Sequence, residues 1–526
     1  MRVVTAHTMQ EIDRLAIEGH GISGQMLMEN AGKACVEEII AEFGLKGRAV
    51  VVAGKGNNGG DGYVIARLLS HKGWSVKVCV LAEREQVVGD AASMLDKLQR
   101  QSVNFCPHEG QLPALYMEDI FQADVIVDAM LGTGLRSDIS GVYREAIELI
   151  NASGRPVCSV DIPSGIHGTT GRVLGDAVRA YFTVTFGFAK LGHVLYPGAE
   201  HTGRLIIADI GIPQKLKETA SGYEFLNDES IRPMLRRRDR LAHKGHFGHV
   251  LVIAGSTGKT GAAAMTANSS VRAGSGLVTL AVPESLHPIL EFKTTEAMTI
   301  PLADAGSGHL TNSCFPAIEK LIAGKDAIAV GPGLDRRPAT VSLVHTIVEQ
   351  VGLPMVIDAD GLNALAEDLN VLRRKRSQNI ILTPHPGEMS RLVGTSIPDV
   401  EAIRISVAQE FARTHGVYLV LKGARTIIAT PGGTAAINGS GNPGMATGGM
   451  GDVLTGIVVS LLGQGYSACD ACRLGVFIHG YAADMVAEEK GEIGLTATDV
   501  QEMLPYAYNK LLKNTLLSNL KMFGEI

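Results

Sequence analysis

The sequence lacks the features that mark secreted and nucleic-acid-binding proteins. Its seven cysteines are scattered and odd in number, which argues against a disulfide framework. The formal net charge is −6, so the chain offers no positive field that would attract DNA or RNA. The N-terminal residues contain no apolar signal-peptide core and no cleavage site. We therefore expect a cytoplasmic protein that does not bind nucleic acid.

Apolar runs of membrane-spanning length and paired zinc-binding motifs are missing as well. The uncharged stretch 426–451 consists largely of Gly, Thr, Asn and Pro, which cannot cross a bilayer as a helix. Cys469 and Cys472 form a single CxxC motif within an apolar helical pattern, so we interpret them as core residues and not as zinc ligands. We expect no membrane partner.

Glycine, in contrast, is abundant. The chain has 62 glycines among 526 residues, about 12%, against about 7% in average proteins. Glycine is needed where the backbone has a positive φ or approaches a ligand closely, so glycine clusters indicate candidate phosphate sites. A chain of this length is expected to form two to four domains.

Apolar β-branched runs alternate with helical patterns along the chain, which predicts parallel sheets covered by helices on both faces. In the first half the predicted strands are 49–53, 76–81, 125–128, 157–160, 182–186 and 205–207, and the predicted helices are 8–18, 25–43, 61–72, 88–101 and 141–152. In the second half the predicted strands are 249–254, 277–282, 327–330, 355–357, 380–382, 418–421 and 427–429.

A break near 211–222 separates these two halves, and each half is long enough to form its own α/β core. We expect a first domain at 1–215, a linker at 216–230 and a second domain at 231–515.

The first glycine cluster, 54–62, follows the predicted strand 49–53. Its first three glycines match the G-x-G-x-x-G dinucleotide fingerprint in the required strand–turn–helix context. Asn57, Asn58 and Asp61 lie inside the predicted turn and are foreign to an ordinary loop of this type. A carboxylate there would repel a pyrophosphate unless it bonded to amides, hydroxyls or a cation.

Two further predicted strands lead into polar residues. Asp128 ends one strand, and Asp161 and Ser164 follow another. The carboxyl ends of parallel strands meet at one edge of a sheet, where ligands bind, so these side chains are expected to converge with Asn58. All are hard oxygen donors, which suit an alkali or alkaline-earth cation.

With these motifs, residues 1–215 resemble the NAD(P)H-hydrate epimerase family, whose signature includes Asn-Asn-Gly-Gly-Asp-Gly (57–62). The segments Leu27–Gly32 and Asp161–Gly165 carry the resemblance further. It implies a Rossmann-like three-layer sandwich that interconverts the R and S hydrates of NADH and NADPH (NADHX and NADPHX), with K+ held near Asn58, Asp128 and Ser164. The implied substrate contacts are Asn57, Asn58, Gly59, Gly60, Asp61, Gly132, Thr133, Gly134, Leu135, Arg136, Ser137, Asp138 and Asp161.

Epimerisation at a carbon beside a ring nitrogen needs an acid to expel water or open the ring and a base to reverse that step. Asp161 is the candidate for this proton transfer.

The second half contains an imperfect P-loop and a stronger glycine cluster. The segment 258–260 (Gly-Lys-Thr) imitates the end of a Walker A motif, but the required glycine five places earlier is Ile253, so we reject a P-loop. The cluster 442–452 precedes an apolar helix, whose N-terminal amides can bind an anion. Asp452 at that junction is a candidate acceptor for the proton of a substrate hydroxyl. Helix capping is the alternative role.

Across about 230–510 this half resembles the nucleotide-dependent NAD(P)H-hydrate dehydratases, a ribokinase-like α/β sandwich. The segments 444–452 (Gly-Met-Ala-Thr-Gly-Gly-Met-Gly-Asp) and 385–388 (His-Pro-Gly-Glu) carry this resemblance. Met450 stands where the family has Ser or Thr, which leaves backbone amides to bind phosphate there. The implied nucleotide contacts are Lys422, Gly423, Ala424, Arg425, Thr426 and Gly451, and the implied substrate contacts are Ala263, Gly333, His385 and Asp452.

Together the resemblances imply a repair enzyme that epimerises hydrated NAD(P)H and dehydrates its S epimer to NAD(P)H, AMP and phosphate, with Asp452 as the second catalytic residue. ADP is the expected co-substrate, with ATP as the alternative donor and Mg2+ screening the phosphates. We also expect a homo-oligomer.

Three other functions stay open from the sequence. The first is an ATP-dependent kinase of a small vitamin precursor fused to a nucleotide-binding Rossmann domain. The second is an NAD-dependent dehydrogenase in which Glu83 contacts the ribose. The third is a nucleotide-sensing module without catalysis.

Overall fold

The computed structural model describes residues 1–98, 103–106 and 114–522. The chain divides into an N-terminal unit (Arg2–Tyr223) and a C-terminal unit (Glu224–Ile526 with Met1). Residues 216–230, which the sequence predicts as a linker, contain the end of one helix, a complete strand and most of a short helix. Residues 99–101 of the helix predicted at 88–101 lie outside the described part of the chain. Within the described residues, no helix has both the length and the apolar composition that a membrane span requires.

The N-terminal unit is built on a seven-stranded sheet in which every pair of neighbouring strands is parallel, in the order β4-β3-β2-β5-β6-β7-β9. A further parallel pairing joins β1 to β8. The strands are β1 (Arg2–Val4), β2 (Arg48–Ala53), β3 (Ser75–Val80), β4 (Val103–Phe105), β5 (Val125–Ala129), β6 (Val157–Val160), β7 (Phe182–Phe186), β8 (Ala189–Lys190) and β9 (Arg204–Ala208). The helices are α1 (Ala6–His20), α2 (Gly24–Phe43), α3 (Asn57–His71), α4 (Gly89–Asp96), α5 (Ala114–Gln122), α6 (Gly141–Ser153), α7 (Leu191–Val194), α8 (Gly198–Thr202) and α9 (Gln214–Thr219).

Strand β2 shows why the central strands have continuous apolar amino-acid sequences. Ala49, Val51 and Ala53 belong to the core on one face of the sheet, whereas Val50 and Val52 belong to the core on the other face. Because successive side chains of a strand point to opposite faces, a strand buried on both sides must be apolar at every position. The prediction of a sheet covered on both faces is confirmed for this unit.

Helix α3 begins earlier than the sequence pattern predicts. The helix was expected from residue 61, with both asparagines in the preceding turn, but it begins at Asn57 after Gly56. Glycine makes this early start possible, because a Cβ on Gly59 would lie 1.9 Å from the carbonyl oxygen of Gly54. Asn57, Asn58 and Asp61 therefore belong to the first turns of a helix, not to a loop.

The C-terminal unit is built on a mixed sheet whose strands follow the order β13-β12-β11-β14-β15-β16-β17-β18-β19-β10. β18 is antiparallel to both of its neighbours, and the other pairings in this order are parallel. The strands are β10 (Tyr223–Leu226), β11 (His249–Ile253), β12 (Leu277–Pro283), β13 (Met298–Leu302), β14 (Ala327–Val330), β15 (Met355–Ile357), β16 (Ile380–Leu382), β17 (Tyr418–Leu421), β18 (Ile427–Ala429) and β19 (Ala435–Asn438).

Helices pack on this sheet, and the apolar helix α19 lies in the main core cluster together with α20 and with residues of the central strands. The helices of this unit are α10 (Asp228–Ile231), α11 (Thr260–Arg272), α12 (His287–Lys293), α13 (Phe315–Leu321), α14 (Pro338–Gln350), α15 (Asp360–Glu367), α16 (Pro386–Val393), α17 (Ile397–Ala402), α18 (Arg404–His415), α19 (Met450–Gly463), α20 (Ala468–Lys490) and α21 (Ala497–Met522). The predicted fold class, two α/β domains, is confirmed.

Six strands (β1, β4, β8, β10, β13 and β19) were not predicted from the sequence, and three of them are weak in pattern. β8 has only two residues, β13 is a partly exposed edge strand that contains Pro301, and β19 begins with two alanines. None of them presents the run of buried β-branched residues that identified the central strands.

Candidate active sites

A cleft of about 750 Å3 opens in the N-terminal unit beyond the carboxyl ends of β2 and β5. The strand order reverses between these two strands, and such a reversal is where ligands bind in open α/β sheets. Most of the residues predicted to contact substrate in this unit line the cleft. The lining residues from that prediction are Asn57, Asn58, Asp61, Gly132, Thr133, Gly134, Leu135, Arg136, Ser137 and Asp161, whereas Gly59, Gly60 and Asp138 are not in the lining.

Asp161 is held rigidly in the wall of this cleft. Its backbone has a φ of 65°, in the left-handed region, and its carbonyl oxygen accepts a hydrogen bond from Nε2 of His193 at 2.8 Å. Nδ1 of the same imidazole accepts from the backbone N–H of Lys190 at 3.0 Å. Burial and the neighbouring Lys190 charge lower the pKa of His193 to about 4, so this histidine is a neutral anchor.

The Asp161 carboxylate is kept ionised by its hydrogen-bond partners. Nζ of Lys190 donates to its Oδ1 at 2.5 Å, and Oγ1 of Thr185 donates at 3.1 Å. Lys190 is 1% exposed and lies at the end of β8, where β1 pairs with it. Burial raises the pKa of Asp161, but the Lys190 charge and these hydrogen bonds outweigh it, so the pKa lies below its usual range.

Two other carboxyl groups line the same cleft and have the opposite tendency. Burial, reinforced by the Asp161 charge, raises the pKa of Asp61 well above its usual range. Burial raises the pKa of Asp13 to about 6, with Lys190 opposing and Asp161 adding to the rise. The cleft thus holds an ionised carboxylate beside carboxyl groups that favour their protonated form.

Asn58 and Asp128 mark a polar region beside the cleft. Both polar atoms of the Asn58 side chain are buried without a hydrogen-bond partner in the described chain. The buried Asp128 carboxylate accepts from Oγ of Ser159, and from the backbone N–H and Oγ of Ser164 at 2.8 and 2.5 Å. The segment Leu131–Gly132 connects Asn58 with the Asp128–Ser164 pair. The backbone N–H of Leu131 donates to Oγ of Ser164, and Gly132 lies against the Asn58 side chain.

In the C-terminal unit a half-buried lysine, Lys422, lies at the centre of the predicted site. Nζ of Lys422 donates to Oδ1 of Asp358 at 2.8 Å and lies 3.7 Å from Oε2 of Glu388. Oγ1 of Thr455 on α19 donates to the other oxygen of Asp358 at 2.8 Å. Burial lowers the pKa of Lys422, but the carboxylates of Asp358 and Glu388 raise it above its usual range, so the lysine stays charged.

Asp452 lies in the first turn of α19, beside this cluster. Burial raises its pKa to about 7, and the Asp358 charge adds to the rise while Lys422 opposes it. A Cβ on Gly451 would lie 3.2 Å from Nζ of Lys422 and 3.4 Å from the Asp358 carboxylate, so the start of α19 touches both. The N-terminal amides of a helix have no partners within the helix and favour anions.

The predicted substrate residues of this unit form two groups. His385 caps α16, its backbone N–H donates to Glu388 at 2.8 Å, and Glu388 joins it to the Lys422 cluster. Ala263 and Gly333 lie where the strand order reverses between β11 and β14: a Cβ on Gly333 would contact Lys259, the residue before α11.

The other predicted nucleotide residues, 423–426, form the connection between β17 and β18. Arg425 has a φ of 58°, its guanidinium donates to the carbonyl of Gly439, and it lies over the ring of Phe225. Met450 is 7% exposed and packs in the hydrophobic core, so a phosphate contact at this position must come from its backbone.

Asp13 and Lys190 belong to the first site but were not predicted from the sequence. A signal was present for both: Asp13 adjoins the buried Ile12 on the amphipathic helix α1, and Lys190 is flanked by the buried Ala189 and Leu191. A charged residue within an apolar surface is seldom placed there without a partner or a function.

Comparison with known proteins agrees with this two-site arrangement. Residues 250–506 match the NAD(P)H-hydrate dehydratase family model, and residues 24–192 match the model of the YjeF-related protein N-terminus. The bifunctional NAD(P)H-hydrate repair enzyme of Moorella thermoacetica is 44% identical over 97% of both chains. Its counterpart in Thermofilum pendens is 42% identical over 97% of both.

Two more distant proteins are also similar. The Escherichia coli bifunctional NAD(P)H-hydrate repair enzyme is 34% identical, over 94% of this chain and 92% of that enzyme. The Bacillus subtilis ADP/ATP-dependent NAD(P)H-hydrate dehydratase, crystallised with ATP and Mg2+, superposes with a TM-score of 0.47 at 29% identity and covers 55% of this chain and 99% of its own. The long, high-identity alignments to the repair enzymes confirm the resemblance stated from the sequence: this chain belongs to the family of bifunctional NAD(P)H-hydrate repair enzymes.

Proposed function

We propose that this protein repairs hydrated NADH and NADPH in two steps. Its first domain (1–215) interconverts the R and S hydrates, and its second (231–515) uses ADP to dehydrate the S epimer to NAD(P)H, AMP and phosphate. The observation that supports this most strongly is a pair of lysines, the buried Lys190 and the half-buried Lys422, each of which holds a carboxylate next to further acidic side chains in its own unit. Each unit therefore carries its own groups for proton transfer.

In the epimerase site, Asp161 accepts the proton of the water or hydroxyl that reacts at the ring carbon. Lys190 and Thr185 keep this carboxylate ionised, and the His193 contact to its backbone holds it in place. The proposed substrate contacts are the side chains and amides of Asn57, Asn58, Gly59, Gly60, Asp61, Gly132, Thr133, Gly134, Leu135, Arg136, Ser137, Asp138 and Asp161.

The residues beside the cleft fit a potassium ion. Asn58 offers a buried carbonyl oxygen without a partner, and the buried Asp128 carboxylate has no cationic side chain paired with it among the described residues. Asn58, Asp128 and Ser164 would hold the ion through oxygen atoms, which are the ligands that such hard cations prefer. When bound, K+ supplies a positive charge next to the substrate loop 132–138.

In the dehydratase site, Asp452 accepts the proton of the ring hydroxyl as that oxygen attacks the terminal phosphoryl group. Its pKa of about 7 suits a base that works near neutral pH. The start of α19 and the Lys422 ammonium stabilise negative charge that develops on the phosphoryl oxygens. The ring nitrogen then expels phosphate to form a carbon–nitrogen double bond, and loss of a proton from the adjacent ring carbon restores NAD(P)H.

The nucleotide would be held by Lys422, Gly423, Ala424, Arg425, Thr426 and Gly451, and the hydrated nicotinamide by Ala263, Gly333, His385 and Asp452. Mg2+, when bound with the nucleotide, neutralises part of the phosphate charge. Asp358 and Glu388, which already surround Lys422, are carboxylates of the kind that this ion prefers.

The test supplies mixed epimers of hydrated NADH with ADP or ATP and follows NADH absorbance, phosphate release and the epimer ratio. Wild type should consume both epimers and release one phosphate for each NADH formed. Asp161→Asn should stop epimerisation, so that only the S epimer disappears. Asp452→Ala should abolish dehydration while epimerisation continues.

Two outcomes would contradict the proposal. A stable phosphorylated product without NADH would identify a kinase, the alternative considered from the sequence. Dehydration by Asp452→Ala at a rate comparable to wild type would exclude that residue as the base. The homo-oligomeric state and the cytoplasmic location stay predictions, which light scattering and cell fractionation would test.

A further inference from the structure

Asp13 belongs to the wall of the epimerase cleft, and nothing in the proposed reaction uses it. It lies on α1 with Met9 one turn before it and Ile17 one turn after it, and all three line the cleft. This spacing places them on one face of the helix. In the described part of the chain the Asp13 carboxyl makes no hydrogen bond and no ion pair, although it is only partly exposed. A half-buried acid with apolar neighbours and no partner is costly unless a ligand uses it.

Asp161, the other acidic residue of the proposed reaction, is held in its ionised form. Nζ of Lys190 lies 2.5 Å from the Asp161 carboxylate. Lys190 itself donates to Oγ1 of Thr185 at 2.8 Å and to the carbonyl of Phe186 at 3.3 Å. Asp161 can therefore accept a proton, but it has none to give at the start of a turnover. Exchange of the hydroxyl needs a donor as well as an acceptor.

We propose that Asp13 is the proton donor of the epimerisation and that it works with the Asp161 carboxylate as a donor–acceptor pair. This inference rests on the proposed function of the N-terminal unit. The Asp13 carboxyl protonates the ring hydroxyl, the carbon–oxygen bond breaks, water leaves, and the ring nitrogen supplies the electron pair that forms a carbon–nitrogen double bond. A water molecule then adds to the opposite face of that carbon and gives its proton to Asp161.

The proposed reaction balances, because one water molecule leaves and one water molecule enters. The proton received by Asp161 returns through solvent to Asp13, so the enzyme is restored without an oxidant, a reductant or a co-substrate. In the reverse direction the roles exchange: Asp161 returns its proton to the leaving hydroxyl, and Asp13 accepts the proton of the incoming water.

The surroundings of Asp13 suit this role. Burial raises the pKa of Asp13 to about 6, so that it both gives up and recovers a proton near neutral pH. Burial also raises the pKa of Asp61, another carboxyl group of the cleft, which is one of the proposed substrate contacts.

The charges around Asp13 come from several elements and all bear on its pH dependence. Asp61 on α3, Asp161 after β6 and Lys190 on β8 face the same cleft. The remaining titratable or charged groups are Lys55, Asp90, Arg136 and Tyr143 in the cleft lining, and Lys215, Lys217 and Glu218 on α9, which packs against α1.

The experiment measures epimerisation of the purified R hydrate in the full-length protein. Asp13→Asn should lower kcat by a factor of about 10²–10⁴, the usual contribution of a general acid, with little change in KM. The fall of the wild-type rate as the donor loses its proton above about pH 6 should be absent from the residual activity of this variant. Asp13→Glu should recover part of kcat.

Two controls separate a chemical role from a structural one. Glu11→Gln makes the same carboxyl-to-amide change at an exposed position of α1 and should keep the wild-type rate. Dehydration of the S epimer by the same Asp13→Asn sample should also be unchanged, and its thermal unfolding midpoint should be no lower than that of wild type.

The outcomes are distinct. Absence of epimerisation by the wild-type protein would overturn the proposed function of this unit. Wild-type epimerisation together with Asp13→Asn activity within about threefold of it would overturn the role of Asp13 and leave the proposed function intact. An unchanged alkaline fall in rate in Asp13→Asn would overturn it equally.

Discussion

At the scale of single residues, the two sites share one feature, a lysine–carboxylate ion pair. In each site a lysine pairs with a carboxylate, Lys190 with Asp161 and Lys422 with Asp358. Removing one partner of such a pair leaves an uncompensated buried charge and costs about 3–5 kcal/mol. In the first site the pKa of Asp161 is lowered, whereas the pKa values of the neighbouring Asp13 and Asp61 are raised. Different protonation states within a few ångströms are what acid–base chemistry requires.

Asn58→Leu tests the proposed potassium site. The wild-type amide is buried without a partner, and such a group costs about 1–3 kcal/mol. In potassium-free buffer the variant should therefore unfold at a temperature no lower than wild type. Potassium should raise the unfolding midpoint of wild type, because a ligand that binds only the folded state stabilises it, and it should leave Asn58→Leu unchanged. A potassium-dependent shift of equal size in both proteins would exclude Asn58 as a ligand.

Asp452→Asn tests how much the ionisation of Asp452 lowers the free energy of unfolding. The folded-state pKa of Asp452, about 7, is raised above its unfolded value. The stability associated with this group is therefore fully present below about pH 4 and is lost as the pH rises through about 7. The variant should be more stable than wild type at pH 8, by on the order of 1–3 kcal/mol, and equal to it near pH 4.

Thermal unfolding of both proteins across this pH range measures the effect. Glu410→Gln replaces an exposed carboxylate on α18 and should show no pH-dependent difference. A difference between Asp452→Asn and wild type that did not grow with pH would contradict the raised pKa.

At the scale of elements, both sites depend on helices that start at the carboxyl ends of strands. α3 begins directly after the loop that follows β2, and its early start brings Asn57, Asn58 and Asp61 onto the first turns of the helix. α19 begins after Gly449, whose φ is 92°, and brings Asp452 next to Lys422. In each case glycine permits the close approach, and the helix N-terminus adds a partial positive charge.

Gly59→Ala and Gly56→Ala form a matched pair that tests the packing of α3. A Cβ on Gly59 would meet the Gly54 carbonyl oxygen at 1.9 Å, whereas a Cβ on Gly56 meets nothing within 4 Å. Gly59→Ala should destabilise the N-terminal unit by about 1–3 kcal/mol, as overpacking usually does, and should lower epimerase activity. Gly56→Ala should cost less, about 0.5–1 kcal/mol, because alanine is a poorer N-cap residue than glycine.

Calorimetry of each variant gives the stability, and the epimerisation assay gives the activity. Equal stability losses in the two variants would contradict the close contact between Gly54 and Gly59.

At the scale of the whole molecule, each unit has its own core and its own set of acidic and basic groups. The cores of the N-terminal unit lie on the two faces of its parallel sheet, and the main core of the C-terminal unit surrounds α19 and α20. Chains with a separate core in each unit fold as separate domains.

Separate expression of residues 1–223 and 224–526 tests this independence. The first fragment should epimerise hydrated NADH without nucleotide, and the second should dehydrate the S epimer with ADP and Mg2+. ADP at 100 times its Kd should stabilise the second fragment by about 2.7 kcal/mol and leave the melting of the first unchanged. Loss of both activities in well-folded fragments, recovered only in the joined chain, would show that the units depend on one another.

Much of this architecture was accessible from the sequence, because strands buried on both faces must be apolar throughout. The central strands Val157–Val160, Ala327–Val330 and Tyr418–Leu421 were predicted with the bounds that the structure has. The edge strand β13 and the two-residue β8 were missed, since neither carries that pattern. The glycine-rich motifs indicated both candidate sites, because positions where the backbone approaches another group closely require glycine.

The sequence by itself determined the fold class, the family and the motifs that lead to each candidate site, since burial and backbone geometry restrict which residues can stand at those positions. Only the tertiary structure decided which charges meet. Asp13 and Lys190 are 177 positions apart (190 − 13) and come from a helix and a strand without a shared motif, yet both line one cleft. Electrostatic coupling falls off with distance in space and is indifferent to separation along the chain. The protonation state of each acid therefore follows from the folded arrangement.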